Sequence, residues 1–320
     1  MEAPNSAPPS RADLVAARER VRGNVHQTPV LTCRTLDQMA GARLFFKAEN
    51  FQKVGAFKYR GAFNAVSSLA PEERSRGVVT QSSGNHAQAL ALAAREYGVK
   101  AFIVMPDNAP AVKVAAVRGY GAEITFCRAT PEARDEATGL LLASTGGVLI
   151  HPFDDARIIA GQSTATQELL EAEPGLDLVV APVGGGGLCS GTALAARDFG
   201  DGAKVWGAEP AGADDAYRSL ATGVLQKNQR AETIADGLRT HLCPLTFSIL
   251  RHELEQIVTV EEDEIVAAMR LVWERMKILI EPSAAVAVAA VLRGEAGRRH
   301  AKIGIILSGG NVDLDHLPWK

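Results

Sequence analysis

Lysine is scarce in this 320-residue chain, ten against twenty-four arginines, and Lys58 lies in Gly55-Ala-Phe-Lys-Tyr-Arg-Gly61 with an aromatic residue on each side. A partly desolvated amine loses its charge more readily and becomes a nucleophile toward aldehydes. An ordinary surface lysine at a helix start is the competing reading, and the neighbouring motifs bear on the choice. Ser82-Ser-Gly-Asn-His86 follows a β-branched run and opens a helical pattern. Backbone N–H groups and hydroxyls therefore gather where a helix start attracts an anion such as a carboxylate. Simple capping by Ser82 or Ser83 would need neither Asn85 nor His86. Val183-Gly-Gly-Gly-Gly-Leu188 also joins a strand pattern to a helix pattern. Successive glycines let backbone fold closely around a phosphate. Cys189 and Ser190 stand where the third glycine of G-x-G-x-x-G would fall, which weakens a dinucleotide reading. Leu307-Ser-Gly-Gly-Asn-Val312 puts Ser308 at the carboxyl end of a final strand. A hydroxyl there donates to a neutral ring nitrogen or caps a turn.

These groups need a scaffold that brings loops together at strand ends. From Gly77 to Ile150 the segments GVVTQ, AFIVM, AEITF and GGVLI read as strands, with helices starting near Asn85, Ala109 and Pro131. LDLVVAPV, AKVWGAEP, QIVTV and KIGIILS form a second set, with helices at Asp154 to Ala172, Gly187 to Arg197, Glu261 to Lys277 and Pro282 to Leu292. Such alternation is the pattern of parallel strands joined by crossover helices. The strand LFFKAE and the helix Lys58 to Leu69 are assigned to the second set. The fold class expected is α/β, with two doubly wound parallel-sheet domains. Residues 11–75 and 152–320 would form a large domain, 76–151 a small inserted one, and 1–10 a flexible tail. Ligands would lie in a cleft between the domains, near the carboxyl ends of the strands.

Composition narrows the function classes. A net charge of −3 offers no broad positive field for nucleic acid. Four dispersed cysteines, with no C-x-x-C pair, suggest a reducing cytoplasmic setting rather than a disulfide or zinc scaffold. No signal peptide and no run of about 20 apolar residues is present, so no membrane role is expected.

An aldehyde-seeking lysine, a monophosphate cradle, an anion-binding helix start and a hydroxyl at a strand end suit pyridoxal 5′-phosphate and an amino-acid substrate. From about Val21 to Leu314 the chain resembles the serine racemase and serine/threonine dehydratase family of fold-type II pyridoxal-phosphate enzymes, with a tryptophan synthase β-like architecture. The blocks that carry the resemblance are HQTPVL, FKAENFQKVGAFKYRGAFNAV, SSGNHAQAL, HPFDDARIIAGQ, PVGGGGL, ETIADG, LVWERMKILIEP and LSGGNVDL. It implies that Lys58 joins the cofactor aldehyde and acts as the base on one face of the substrate Cα, with Phe57 beside the ring. Gly184, Gly185, Gly186 and Gly187 would hold the phosphate, Asn85 the ring hydroxyl and Ser308 the pyridine nitrogen, with Gly237 lining the same site. Ser82, Asn85 and His86 would receive the substrate carboxylate.

Ser83 marks the racemase-like branch, which includes L-threo-3-hydroxyaspartate ammonia-lyase; plain threonine dehydratases usually carry alanine there. A hydroxyl opposite Lys58 allows proton removal on one side and return on the other. Within the same branch, Glu209, Ala213 and Asp215 match positions that hold a divalent cation, Mg²⁺, Ca²⁺ or Mn²⁺. Arg134 matches an arginine that meets a second ligand carboxylate. Tyr120, Lys277 and Asn311 resemble positions that contact ATP as an activator at a homodimer interface.

The chain departs from the family in reading Gly161-Gln-Ser-Thr164 for the usual Gly-Gln-Gly-Thr, and His151-Pro-Phe-Asp-Asp155 follows the dehydratase form rather than the animal racemase form. Nothing resembling a regulatory domain follows Leu307-Ser-Gly-Gly-Asn-Val312, so feedback by isoleucine is not expected. The activity expected is dehydration and racemisation of β-hydroxy amino acids, L-serine first, with L-threonine or L-threo-3-hydroxyaspartate as further substrates. The alternatives are a dedicated hydroxyaspartate or catabolic threonine ammonia-lyase, a β-replacement enzyme, and a catalytically silent cofactor carrier or amino-acid sensor.

Overall fold

The computed structural model describes residues 7–109, 111–228 and 230–319. In chain order the strands are β1 (Val30–Leu31), β2 (Arg43–Ala48), β3 (Val78–Gln81), β4 (Ala101–Pro106), β5 (Glu123–Cys127), β6 (Val148–Leu149), β7 (Leu178–Pro182), β8 (Lys204–Pro210), β9 (Gln256–Val260) and β10 (Lys302–Leu307). The helices are α1 (Arg11–Val21), α2 (Arg34–Ala40), α3 (Lys58–Ser67), α4 (Pro71–Arg76), α5 (Asn85–Glu96), α6 (Ala111–Gly119), α7 (Pro131–Thr145), α8 (Ala156–Ala172), α9 (Gly187–Phe199), α10 (Asp215–Thr222), α11 (Pro244–Glu253), α12 (Glu262–Met276), α13 (Pro282–Leu292) and α14 (Glu295–Arg299).

The chain divides into two compact units, Met1–Val25 with Lys58–Gly161, and His26–Phe57 with Gln162–Lys320. In the first unit β5-β4-β3-β6 form a wholly parallel sheet. Its strands and crossovers are those the sequence pattern suggests. The boundaries differ from the expected ones, because residues 11–25, α3 and residues as far as Gly161 group with this sheet. Side-chain contact explains the grouping of α3: Tyr59 bonds Glu96 of α5, and Phe63 meets Tyr97 edge-on with ring centroids 5.4 Å apart. Gly161 on α8 comes so close to α3 that a Cβ there would lie 2.6 Å from the Gly61 Cα. Of the expected flexible tail, residues 1–6 lie outside the described residues. Ser10 caps α1 in a reciprocal box, its Oγ accepting from Asp13 N at 3.3 Å and its own N donating to Asp13 Oδ2 at 2.8 Å.

The second unit holds six strands in the order β1-β2-β10-β7-β8-β9. All pairings are parallel except β1 with β2, a two-residue edge that the alternation pattern does not show. One face packs on α2, α12 and α13, with Trp206, Leu178, Ile303 and Ile305 fully buried. Helix α13 is buried nearly all round, which explains its unbroken Ala/Val sequence. The other face packs on α9 and α11 through Val179, Ala181, Cys189 and Leu250. Burial of each large aliphatic side chain stabilises the unit by roughly 1.5–3 kcal/mol. A polar seam crosses this interior: Lys47 donates to Glu168 Oε2 at 2.6 Å and to the Thr28 carbonyl at 2.7 Å. Among the described residues, no helix is long and apolar enough to cross a membrane.

Candidate active site

Lys58 is the first residue of α3 and is half-buried. Its Nζ donates to the carbonyl oxygen of Pro152 at 2.8 Å, a partner that the spacing of motifs does not reveal. Pro152 belongs to His151-Pro-Phe-Asp-Asp155, where the His151 Nδ1 accepts from Asp154 N at 2.8 Å. With Nδ1 as acceptor, the His151 proton resides on Nε2. Burial, with the Lys58 charge adding to it against the pull of Asp155, holds the imidazole down to about 4. His86 is 2% exposed; burial first, then the charge of Lys58, keeps it well below the usual imidazole range. Its Nε2 faces the Ile150 carbonyl at 3.4 Å, and its Nδ1 has no hydrogen-bond partner among the described residues. Lys58, His86 and His151 thus share one electrostatic neighbourhood, in which both imidazoles are neutral near pH 7.

The Ser82–His86 turn does not cap α5 through a serine. The N-cap is Gly84, with no side-chain cap bond, and Ser82 Oγ accepts from Gly84 N at 3.2 Å instead. No side chain caps the start of α5, an arrangement that suits an anion there, and Ser83 carries no capping role. Upstream, Gln81 donates to Asp135 Oδ1 at 2.9 Å, tying the end of β3 to the first turns of α7. Arg134, next to Asp135, buries its Nε without a hydrogen-bond partner among the described residues. Lys58, Ser82, Ser83, Asn85, His86 and Arg134 all belong to the first unit.

The second unit carries Phe57, the four glycines, Gly237 and Ser308. Gly186 has φ +86°, and a Cβ there would lie 2.7 Å from the Leu242 side chain. A Cβ on Gly184 would lie 2.9 Å from Leu238 Cα and 3.0 Å from the Gly237 carbonyl. The loop is therefore built against the Asp236–Leu238 turn, with bare backbone leading into the 13-residue α9. Gly237 N donates to Ser283 Oγ at 3.1 Å, a support that the sequence reading does not single out. Ser308 is 2% exposed at the end of β10, and its carbonyl accepts from Phe57 N at 3.0 Å. A glycine loop with no room for a Cβ at Gly184 or Gly186, at the start of a long helix, fits a phosphate group. A hydroxyl at the end of a central strand fits a neutral ring nitrogen. These residues fit the expected cofactor.

Glu209 and Asp215 are both fully buried. Glu209 accepts from Ala216 N at 3.0 Å and Tyr217 N at 2.9 Å; Asp215 accepts from Asn228 Nδ2 at 2.7 Å and Leu242 N at 3.1 Å. Burial pushes Asp215 up to about 6 and Glu209 well above the carboxylate range, Asp215 itself adding to the latter. Two buried acids that resist ionisation together fit a compensating cation. Among the described residues no group of three or more His, Cys, Asp or Glu is arranged to hold a metal, so carbonyls such as that of Ala213 would have to complete the set. The Ser163 that replaces the usual glycine is fully buried in α8, its Oγ accepting from Gln167 Nε2 at 2.9 Å.

The chain is 51% identical to a serine racemase of Dictyostelium discoideum, over 95% of each chain. It is 45% identical to a beta-hydroxyaspartate dehydratase of Paracoccus denitrificans, over 98% of this chain and 99% of that one. The crystal structure of the Dictyostelium serine racemase superposes with a TM-score of 0.92, covering 96% of this chain and 99% of that chain. The family described as pyridoxal-phosphate dependent enzyme matches residues 21–309, and the chain belongs to that family, with its fold and its cofactor.

Proposed function

We propose that this enzyme dehydrates β-hydroxy amino acids and racemises them, with L-serine as the first substrate and L-threonine or L-threo-3-hydroxyaspartate as further ones. The observation that carries the reading is the Lys58 amine, held 2.8 Å from a neutral carbonyl in the same unit as an uncapped helix start with two serine hydroxyls. The names of the relatives above support the same substrate class. Bound pyridoxal phosphate supplies an electron-withdrawing system that stabilises negative charge at the substrate Cα.

The chain's own groups do the rest. The α5 N–H groups with Ser82, Asn85 and His86 hold the substrate carboxylate and fix which bond at Cα is activated. The Pro152 carbonyl aims the Lys58 amine without adding a negative charge that would favour its protonated form. Lys58 takes the Cα proton on one face; the Ser83 hydroxyl returns one on the other, giving racemisation. Loss of the β-hydroxyl instead gives, after hydrolysis, a 2-oxo acid and ammonia. Phe57, Asn85, Gly184, Gly185, Gly186, Gly187, Gly237 and Ser308 hold the cofactor. A serine at the ring nitrogen favours these reactions over transamination, because it leaves the ring less strongly electron-withdrawing.

The same reading includes a divalent cation, Mg²⁺, Ca²⁺ or Mn²⁺, at Glu209, Asp215 and the Ala213 carbonyl. It also includes a cytoplasmic homodimer, and ATP activation through Tyr120, Lys277 and Asn311. A second reading, a dedicated hydroxyaspartate ammonia-lyase, is favoured by the Arg134 guanidinium, whose shape suits a second carboxylate. The test is incubation with L-serine, D-serine, L-threonine and threo- and erythro-3-hydroxyaspartate, with Mg²⁺ or with chelator, following 2-oxo acid and enantiomer ratio. No product from any of them overturns the reading. 2-Oxo acid from hydroxyaspartate alone, without change of enantiomer ratio in serine, selects the second.

A further inference from the structure

We propose that Asn311 is a positioning residue for the reaction, acting by holding Val54 in a left-handed conformation in the loop that leads into Lys58. Val54 has φ 57° and ψ 14°, and Gly55 follows with φ 67°. Glycine adopts this region freely, but a β-branched residue there is a steric outlier that persists only where its surroundings enforce it. The enforcing contact comes from a side chain: Asn311 Nδ2 donates to the Val54 carbonyl at 2.7 Å. The same amide packs against Gly55, where a Cβ would come within 2.7 Å of Asn311 Oδ1.

The clamp is braced from both sides. Asn311 N donates to Glu281 Oε2 at 3.1 Å, and Glu281 N donates to the Gly309 carbonyl at 3.0 Å. At the other end, the Gln52 side chain grips the His26 backbone with bonds of 2.9 and 2.8 Å, while the Gln52 carbonyl accepts from Gly55 N at 2.8 Å. The double left-handed turn then lets Gly310 N reach the Gly55 carbonyl at 2.9 Å, pairs Ala56 with Gly309, and sets Phe57 N on the Ser308 carbonyl at 3.0 Å. One turn thus fixes the register between Phe57, the residue before the reactive lysine, and Ser308. Without the clamp Val54 relaxes to an ordinary conformation and the register slips.

The inference rests on the roles given above to Lys58 and Ser308, and the experiment separates the two. Holoenzymes carrying Asn311→Ala, Asn311→Asp, Val54→Gly and the Asn311→Ala/Val54→Gly pair are compared by the visible absorption of bound cofactor and by kcat and KM for L-serine elimination. Asn311→Ala is expected to lower kcat about ten- to a hundredfold, with KM within about threefold, and to weaken the lysine-bound absorption band. Asn311→Asp keeps the side-chain size but loses the donor, and should behave alike. Val54→Gly should stay within about threefold of the parent, and the pair should recover most of the lost kcat, because glycine holds the turn without the clamp. A kcat within about twofold of the parent in Asn311→Asp, or a double variant no better than Asn311→Ala, overturns the proposal. Persistence of the band in Lys58→Ala would instead overturn the reading on which it rests.

Discussion

The Lys58 amine is held by the Pro152 carbonyl at 2.8 Å, one residue after His151, whose imidazole is neutral down to about pH 4. The lysine is therefore aimed by a peptide oxygen in the company of imidazoles rather than imidazolium ions. That environment leaves the amine available to join an aldehyde and to exchange a proton.

Replacing Lys58 tests its role directly. Lys58→Ala and Lys58→Arg should both lose the cofactor's lysine-bound visible band and its reduction by borohydride. Turnover should fall by at least about a thousandfold. Arginine keeps the charge but forms no such link, so a normal band in Lys58→Arg would refute the assignment.

Ser83 should separate two activities that share a first step. Ser83→Ala is expected to cut serine racemisation by about 10²–10⁴-fold while changing elimination from L-serine less than about tenfold. Enantiomer ratio and 2-oxo acid, measured in the same incubation, report both. Equal losses would remove Ser83 from proton transfer.

The buried pair Glu209 and Asp215 predicts a pH-dependent response to chelation. In metal-free protein Asp215 keeps its proton up to about pH 6, against about 3.9 unfolded. Between those values the folded state binds more protons, so this group makes stability fall as pH rises. A cation that binds the ionised pair offsets the loss. Chelation should therefore lower the melting temperature by a few degrees at pH 8 and by less at pH 5. Equal shifts at both pH values would argue against a cation at this pair.

Two glycine replacements make a paired stability test. Gly161→Ala would drive a Cβ to 2.6 Å from Gly61 Cα and 2.7 Å from the Arg60 carbonyl, and should cost about 1–3 kcal/mol. Gly139→Ala, in the middle of α7 with nothing within 4 Å of the new Cβ, should instead stabilise by about 0.4–1 kcal/mol. Denaturant unfolding monitored by circular dichroism measures both.

Much of the scaffold is legible in the chain, because strand–helix alternation is a local signal. GVVTQ, AFIVM, AEITF and GGVLI become β3 to β6, and LDLVVAPV and KIGIIL become β7 and β10. Local pattern does not say which unit a helix joins: α3 groups with the smaller sheet through Tyr59 and Phe63, whose partners Glu96 and Tyr97 lie over thirty residues away. The glycine loop is visible because only glycine suits the approach distances at Gly184 and Gly186. The Pro152 carbonyl and the left-handed Val54 are not, since a backbone oxygen and a valine carry no mark of their role until the fold supplies their partners.

Strand order has a consequence for synthesis on the ribosome. β10, the last strand in chain order, lies between β2 and β7. The six-stranded sheet therefore cannot close until residues 302–307 have emerged, whereas β3 to β6 lie within residues 78–149 and can pair early. β2 waits for its missing neighbour through most of translation and β7 from the middle of the chain onward, each with an unpaired edge open to unwanted pairing. The nascent chain's exposure to chaperones, and the yield of chains truncated before residue 302, should turn on that final strand.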